Sequence, residues 1–202
     1  MKKIVLIHGL YLRREIMGFL AKKLSRLGYE CLAVNYPTLR RPLSNSASIL
    51  LPQITTFSAQ QPVYFIGHSL GGLMIRHLYH QDPDLFLQSR VVTLGTPHQG
   101  SQLAQFVRRY RGQFLLGNSW QNALDGGAPS WNEAIPLLSI SGSRAIGVGT
   151  LIRLFREEND GTVAVSETRL ATAQQHITLP ETHMSLLFSE STVNEIHRFF
   201  SV

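Results

Sequence analysis

A single cysteine, Cys31, stands in 202 residues, which excludes an internal disulfide and any cysteine-built zinc cluster. That usage fits a reducing compartment. Long apolar runs are missing too, since none approaches the ~20 residues that cross a bilayer. Met1-Lys2-Lys3 followed by Ile4–Ile7 starts like a secretory leader. The run ends at His8-Gly9, short of the roughly 7–15 apolar residues of a leader core, so a cytoplasmic protein is expected. Charge is sparse at 16%, and the balance of 19 basic to 13 acidic residues leaves a net +6. The basic residues are scattered, with Lys22-Lys23, Arg40-Arg41 and Arg108-Arg109 plus Arg111 the tightest groups. None forms a basic stripe interleaved with aromatics, so no nucleic-acid partner is expected. Internal repeats and low-complexity tracts are absent, which excludes repeat architectures.

What is present is a globular composition, 44% apolar with 16 Gly and 9 Pro. At this length one domain spanning 1–202 is expected, with roughly 70% of the extended chain's surface buried on folding. Short β-branched runs alternate with helical patterns. Lys3–Ile7 reads as a strand. Over 12–27, Leu12, Ile16, Phe19, Leu20, Leu24 and Leu27 recur at helical spacing, and Gly28 is a natural stop. Further strands are expected at 31–34, 63–66, 90–94, 135–141 and 176–179. Helices are expected at 46–59, with Pro52 set to kink or split it, at 70–80 and at 192–200. Continuous apolar strands separated by helices imply an α/β fold with about six mostly parallel strands and helices on both faces. The stretch between the fourth and fifth strands is too long for a loop. Residues 98–134 are therefore expected to form a lid or pocket wall.

Gly67-His68-Ser69-Leu70-Gly71-Gly72 contains Gly-x-Ser-x-Gly between a predicted strand and a predicted helix. A serine on so sharp a turn adopts strained backbone angles, and glycine at 67 and 71 removes the side chains that would collide there. The turn lifts the Ser69 hydroxyl to the carboxyl end of the sheet, where open α/β folds bind ligands. Serine needs a base to become a nucleophile. Of eight histidines, His8 and His68 read as packing residues, and His77, His80, His176 and His197 lie in regular elements. His98 follows a strand end, where it stabilises a turn or lines the pocket. His183 falls in the loop after the last strand, at the same sheet end as Ser69, and is the expected general base. Its carboxylate partner is Asp160, in the turn-rich Asn159-Asp160-Gly161, with Glu157 and Glu158 as fallbacks. The order Ser69, Asp160, His183 follows one triad architecture and neither protease order. Backbone N–H groups of Leu70 and of Leu10, or alternatively Tyr11, are the expected oxyanion donors.

Together with Ile7-His8-Gly9-Leu10 and Gly95-Thr96-Pro97-His98-Gln99-Gly100-Ser101, these passages resemble the α/β-hydrolase family, in particular compact bacterial lipases and esterases. The chain opens directly on the strand before His8-Gly9, so the resemblance implies a minimal sheet without the family's N-terminal strand pair. It also implies a serine hydrolase that cleaves carboxylic esters of apolar acids through an acyl-enzyme, without metal or organic cofactor. Tyr11, His98, Leu103, Phe106 and Phe114 are the expected pocket residues. A small-molecule or lipid ester is the expected partner, with transient membrane-surface contact through the lid; nothing in the sequence sets an oligomeric state. A thioesterase or acyltransferase would use the same triad, and a non-catalytic binding protein would be free to lose it.

Overall fold

The computed structural model describes residues 1–201. Six strands form one sheet in the order β2-β1-β3-β4-β5-β6, every neighbouring pair parallel. They are β1 (Lys3–Ile7), β2 (Glu30–Val34), β3 (Val63–His68), β4 (Val91–Leu94), β5 (Leu137–Gly142) and β6 (Gln175–Leu179). Each of the six expected strands is present, and most boundaries differ by one or two residues.

Both faces of the sheet are covered, which is why its central strands read as unbroken apolar runs. On one face Val5, Ile7, Phe65, Val91 and Leu137 pack against α2 (Leu43–Ser58) and α3 (Leu70–Gln81). On the other, Ile4, Leu6, Ile66, Val92 and Leu138 meet α1 (Arg14–Arg26) and α7 (Glu190–Phe200). Helix α1 buries only Met17, Leu20 and Leu24. Phe19 and Leu27, expected on that face, are exposed, because the inward stripe is narrower than the full apolar pattern. Helix α2 begins after Pro42, earlier than expected, and runs through Pro52 without splitting.

Between β4 and β5 lie α4 (Gln102–Arg109), α5 (Gln113–Leu116) and short helical turns at Gly117–Ser119 and Trp120–Leu124. Arg76, buried on α3, closes the root of this excursion. Its guanidinium donates to the carbonyls of His98 at 3.1 Å, Ala128 at 2.8 Å and Pro129 at 2.6 Å. α4 is capped by the Ser101 hydroxyl, which accepts from Ala104 N–H at 3.1 Å. A second acceptor is Glu167, whose buried carboxylate takes Gln102 N–H and, at 2.6 Å, Ala164 N–H. One side chain thus joins the excursion to the loop that carries Asp160. Beyond β5 a single helical turn, α6 (Val148–Leu151), precedes that loop.

Chain order reverses between β1 and β3: from β1 the chain crosses to β2 on one side, and from β3 onward it proceeds to the other. The loops at the carboxyl ends of these two strands diverge and leave a crevice, the usual ligand position in open α/β sheets.

Candidate active site

Ser69 stands at the carboxyl end of β3 and opens α3, with φ 54° and ψ −121°, a left-handed conformation rare for any residue but glycine. Crowding enforces it. A β-carbon on Gly67 would lie 2.5 Å from Gly72 N, and one on Gly71 would overlap the Ile7 carbonyl. The strained turn is held by its neighbours, since Ser69 N–H donates to Leu94 O at 2.8 Å and Thr96 Oγ1 donates to Ser69 O at 2.9 Å.

His183 and Asp160 meet although 23 residues separate them. His183 Nδ1 lies 2.7 Å from Asp160 Oδ2, and His183 N–H donates to Asp160 O at 2.9 Å. Asp160 Oδ1 accepts from Thr162 N–H at 2.9 Å and Val163 N–H at 2.7 Å. Every partner of this carboxylate is therefore a donor, and the proton between the two side chains sits on His183 Nδ1. In the neutral ring this contact makes Nε2 the acceptor nitrogen. The pair is tightly enclosed: a β-carbon on Gly95, whose φ is +55°, would stand 2.9 Å from His183 Nδ1 and 3.0 Å from Asp160 Oδ2.

The histidine before the serine holds the other end of His183. His68 Nε2 donates to His183 O at 3.0 Å, and the two rings lie 4.7 Å apart. Burial lowers the His68 pKa to about 3, helped by the nearby His183 ring, so His68 is neutral across the physiological range.

Ser69, His68 and His183 open onto one cavity of about 330 Å³. Leu10 and Tyr11 form one wall, and Leu103, Ala104, Val107, Leu115, Leu116 and Leu124 of the excursion form another. Val148, Thr162, Val163 and Met184 close the far side. The lining is mostly apolar, its polar members being Ser69, Ser101, Thr162, Tyr11 and the two histidines. Of the expected pocket residues, Tyr11 and Leu103 line the cavity. His98, Phe106 and Phe114 do not. His98 is buried behind the site with Nε2 3.0 Å from Thr93 Oγ1, so it stabilises its turn, and burial lowers its pKa to about 3. Phe106 packs against Tyr110 with the ring centroids 4.6 Å apart and the planes tilted by 46°, and Phe114 points into solvent, 76% exposed. Hydrophobicity alone had marked these two; only α4 and α5 themselves show which of their faces turns inward.

The backbone N–H groups near Ser69 differ in one respect. Tyr11 N–H donates to Thr38 Oγ1 at 3.3 Å, whereas the N–H groups of Leu10 and Leu70 have no acceptor among the described residues. A β-carbon on Gly9 would reach within 2.9 Å of Ser69 Cβ, which shows how closely the β1 loop approaches the serine. Among the described residues no group of three or more His, Cys, Asp or Glu is arranged to hold a metal.

Residues 4–190 match the profile described as the alpha/beta hydrolase family. The chain belongs to the alpha/beta hydrolase family. Relatives agree with this membership. A triacylglycerol lipase of Pseudarthrobacter phenanthrenivorans is 41% identical over 56 residues, 28% of this chain and 17% of that protein. One of Burkholderia plantarii is 41% identical over a stretch of the same length, 15% of its own. This alpha/beta hydrolase therefore matches under one-fifth of the length of those curated relatives. Among solved structures it is similar to the mature lipase BlEst2 of Bacillus licheniformis, with TM-score 0.74 and 19% identity over 98% of this chain and 90% of that one. It is also similar to a thermophilic esterase of Thermogutta terrifontis, with TM-score 0.68 and 13% identity over 100% of this chain and 90% of that one.

Two contributors carried little sequence signal. Glu167 reads as a surface acid in a turn. Arg76 had one clue, a lone cation inside the apolar face of a helix.

Proposed function

We propose that this alpha/beta hydrolase cleaves carboxylic esters of apolar acids with Ser69 as nucleophile, His183 as general base and acid, and Asp160 as its orienting carboxylate. The observation that supports this reading is geometric: His183, with Nδ1 2.7 Å from Asp160 Oδ2, lines the same apolar cavity as the strained Ser69.

In the first half-reaction Ser69 Oγ attacks the ester carbonyl while His183 Nε2 takes its proton. The negative charge on the carbonyl oxygen meets the free N–H groups of Leu70 and Leu10, each worth about 3 kcal/mol to the transition state. Tyr11 N–H, already spent on Thr38, is the poorer candidate. Asp160 stabilises the imidazolium, which then protonates the leaving alcohol and leaves an acyl-Ser69 ester. Water activated by His183 attacks that ester, the acid departs, and Ser69 regains its proton. The cavity volume falls at the low end of the ~300–1,000 Å³ typical of small-molecule sites, which suits a single acyl chain under α4 and α5.

Hydrolysis of p-nitrophenyl esters from acetyl to palmitoyl, by wild type and Ser69→Ala, tests the reading. Turnover should fall on the order of 10⁶-fold in the variant, and the optimum should lie at short to intermediate chains. A folded wild-type protein inert to the whole series, and unlabelled by a fluorophosphonate probe, would overturn it.

A further inference from the structure

Glu167 has no part in the chemistry at Ser69, yet its carboxylate is buried, with the residue 4% exposed. It sits in the short helical turn Ser166–Thr168, and no cation pairs with it among the described residues. A buried charge without a counterion persists only where hydrogen bonds replace the lost water. Here the donors are backbone N–H groups from two different segments. Oε1 takes Gln102 N–H, from the first residue of α4, and Oε2 takes Ala164 N–H at 2.6 Å. The main chain repeats the link, since Gln99 N–H donates to Glu167 O and Glu167 N–H to Ala164 O, each at 3.1 Å.

What these two segments carry gives the link its meaning. Leu103, Ala104 and Val107 follow Gln102 on α4, Thr162 and Val163 precede Ala164, and all five line the cavity. The N–H groups of Thr162 and Val163 also hold Asp160. Glu167 thus joins two walls of the cavity without lining it.

We propose that ionised Glu167 is a positioning residue for the acyl chain: it clamps α4 to the 160–164 loop, and taking up a proton slackens the clamp and disfavours long chains. The chemistry of the group sets the direction. An ionised carboxylate only accepts, which matches two N–H donors, whereas the protonated form carries a donor of its own on one oxygen. One of the two segments then loses its acceptor. A slack α4 penalises a long acyl chain more than a short one, because the long chain draws more of its binding from that wall. Burial lifts the Glu167 pKa to about 7, so the change of charge falls near neutrality. Asp160 and Glu157 are the charged groups acting on it and push the same way, while from α4 it meets the uncharged Gln102. The effect on chain length rests on the ester-hydrolase reading, but the clamp itself is measured without turnover.

The first measurement is hydrogen–deuterium exchange of the full chain, read over 102–109 and corrected for the intrinsic pH dependence of exchange. Losing a hydrogen bond to a charged acceptor should cost α4 about tenfold in protection as wild type passes from about pH 8.5 to about pH 5.5, with β1 and β3 unchanged. Glu167→Gln, whose amide keeps one acceptor and adds a donor, should be as unprotected at the higher pH as wild type is at the lower. The second measurement is kcat/KM for p-nitrophenyl octanoate divided by that for the butyrate. Protonation of His183 scales both esters alike and cancels in this ratio. In wild type the ratio should fall roughly threefold across the same range, through KM rather than kcat, and in the variant it should stay at the low value. Protection of α4 in wild type that ignores pH would overturn the proposal, and that arm needs no variant to fold. The full pH dependence surviving in Glu167→Gln, or an ester ratio that ignores both pH and the substitution, would overturn it too. A protein inert to both esters would fail the ester-hydrolase reading alone, with exchange still deciding the clamp.

Discussion

Both oxygens of Asp160 are engaged. One carboxylate oxygen takes two backbone N–H groups and the other takes His183 Nδ1–H, so an amide in its place must aim a donor at one of these donors. Asp160→Asn should therefore flip the His183 tautomer and cut kcat on the order of 10⁴-fold with little change in KM. Steady-state kinetics on a soluble ester measure this, and an unchanged kcat would remove Asp160 from the mechanism. Glu167 gives a second prediction at this scale. Burial raises its pKa from 4.5 to about 7, with Asp160 and Glu157 pushing the same way and the N–H groups of Gln102 and Ala164 opposing. Between those two values the folded protein binds the extra proton and the unfolded chain does not, so stability falls as pH rises from 4.5 to 7. Glu167→Gln removes that slope. The difference in Tm between wild type and variant should shift in the variant's favour across this window, and a constant difference would contradict the assignment.

At the scale of elements, legibility follows the range of the forces involved. The strands could be read because burial on both faces writes itself as a local apolar run, and the turn bearing Ser69 because its crowding demands glycine two residues either side. The start of α2 and the inward stripe of α1 were misread because they depend on what packs against them. The excursion was the least readable part. α4 is capped by Glu167, which lies more than sixty residues later in the chain, and Phe106 and Phe114 could be told from Leu103 and Leu116 only once the helices were placed. Arg76 tests how the excursion is held. Arg76→Met leaves the carbonyls of His98, Ala128 and Pro129 without their donor, at a cost of about 3–5 kcal/mol. At roughly 2–4 °C per kcal/mol for a chain of this size, Tm should drop by about 6–20 °C. If the excursion forms the acyl wall, KM for longer esters should rise more than kcat falls.

For the whole molecule, the parallel order places the carboxyl ends of β1, β3, β4, β5 and β6 along one edge, so residues from five loops share a cavity without any loop crossing the sheet. That is why Asp160 and His183, which the structure brings within 2.7 Å of each other, could be paired by elimination among four aspartates and eight histidines, whereas the faces of α4 and α5 that line the cavity could not. The Arg76 closure has a consequence for how such a chain diversifies. Because one guanidinium ties His98 to Ala128 and Pro129, the intervening segment leaves and rejoins the scaffold at a fixed gate. Substitutions between those two points therefore reshape a wall of the cavity, while Ser69, Asp160 and His183 are held by other loops of the sheet.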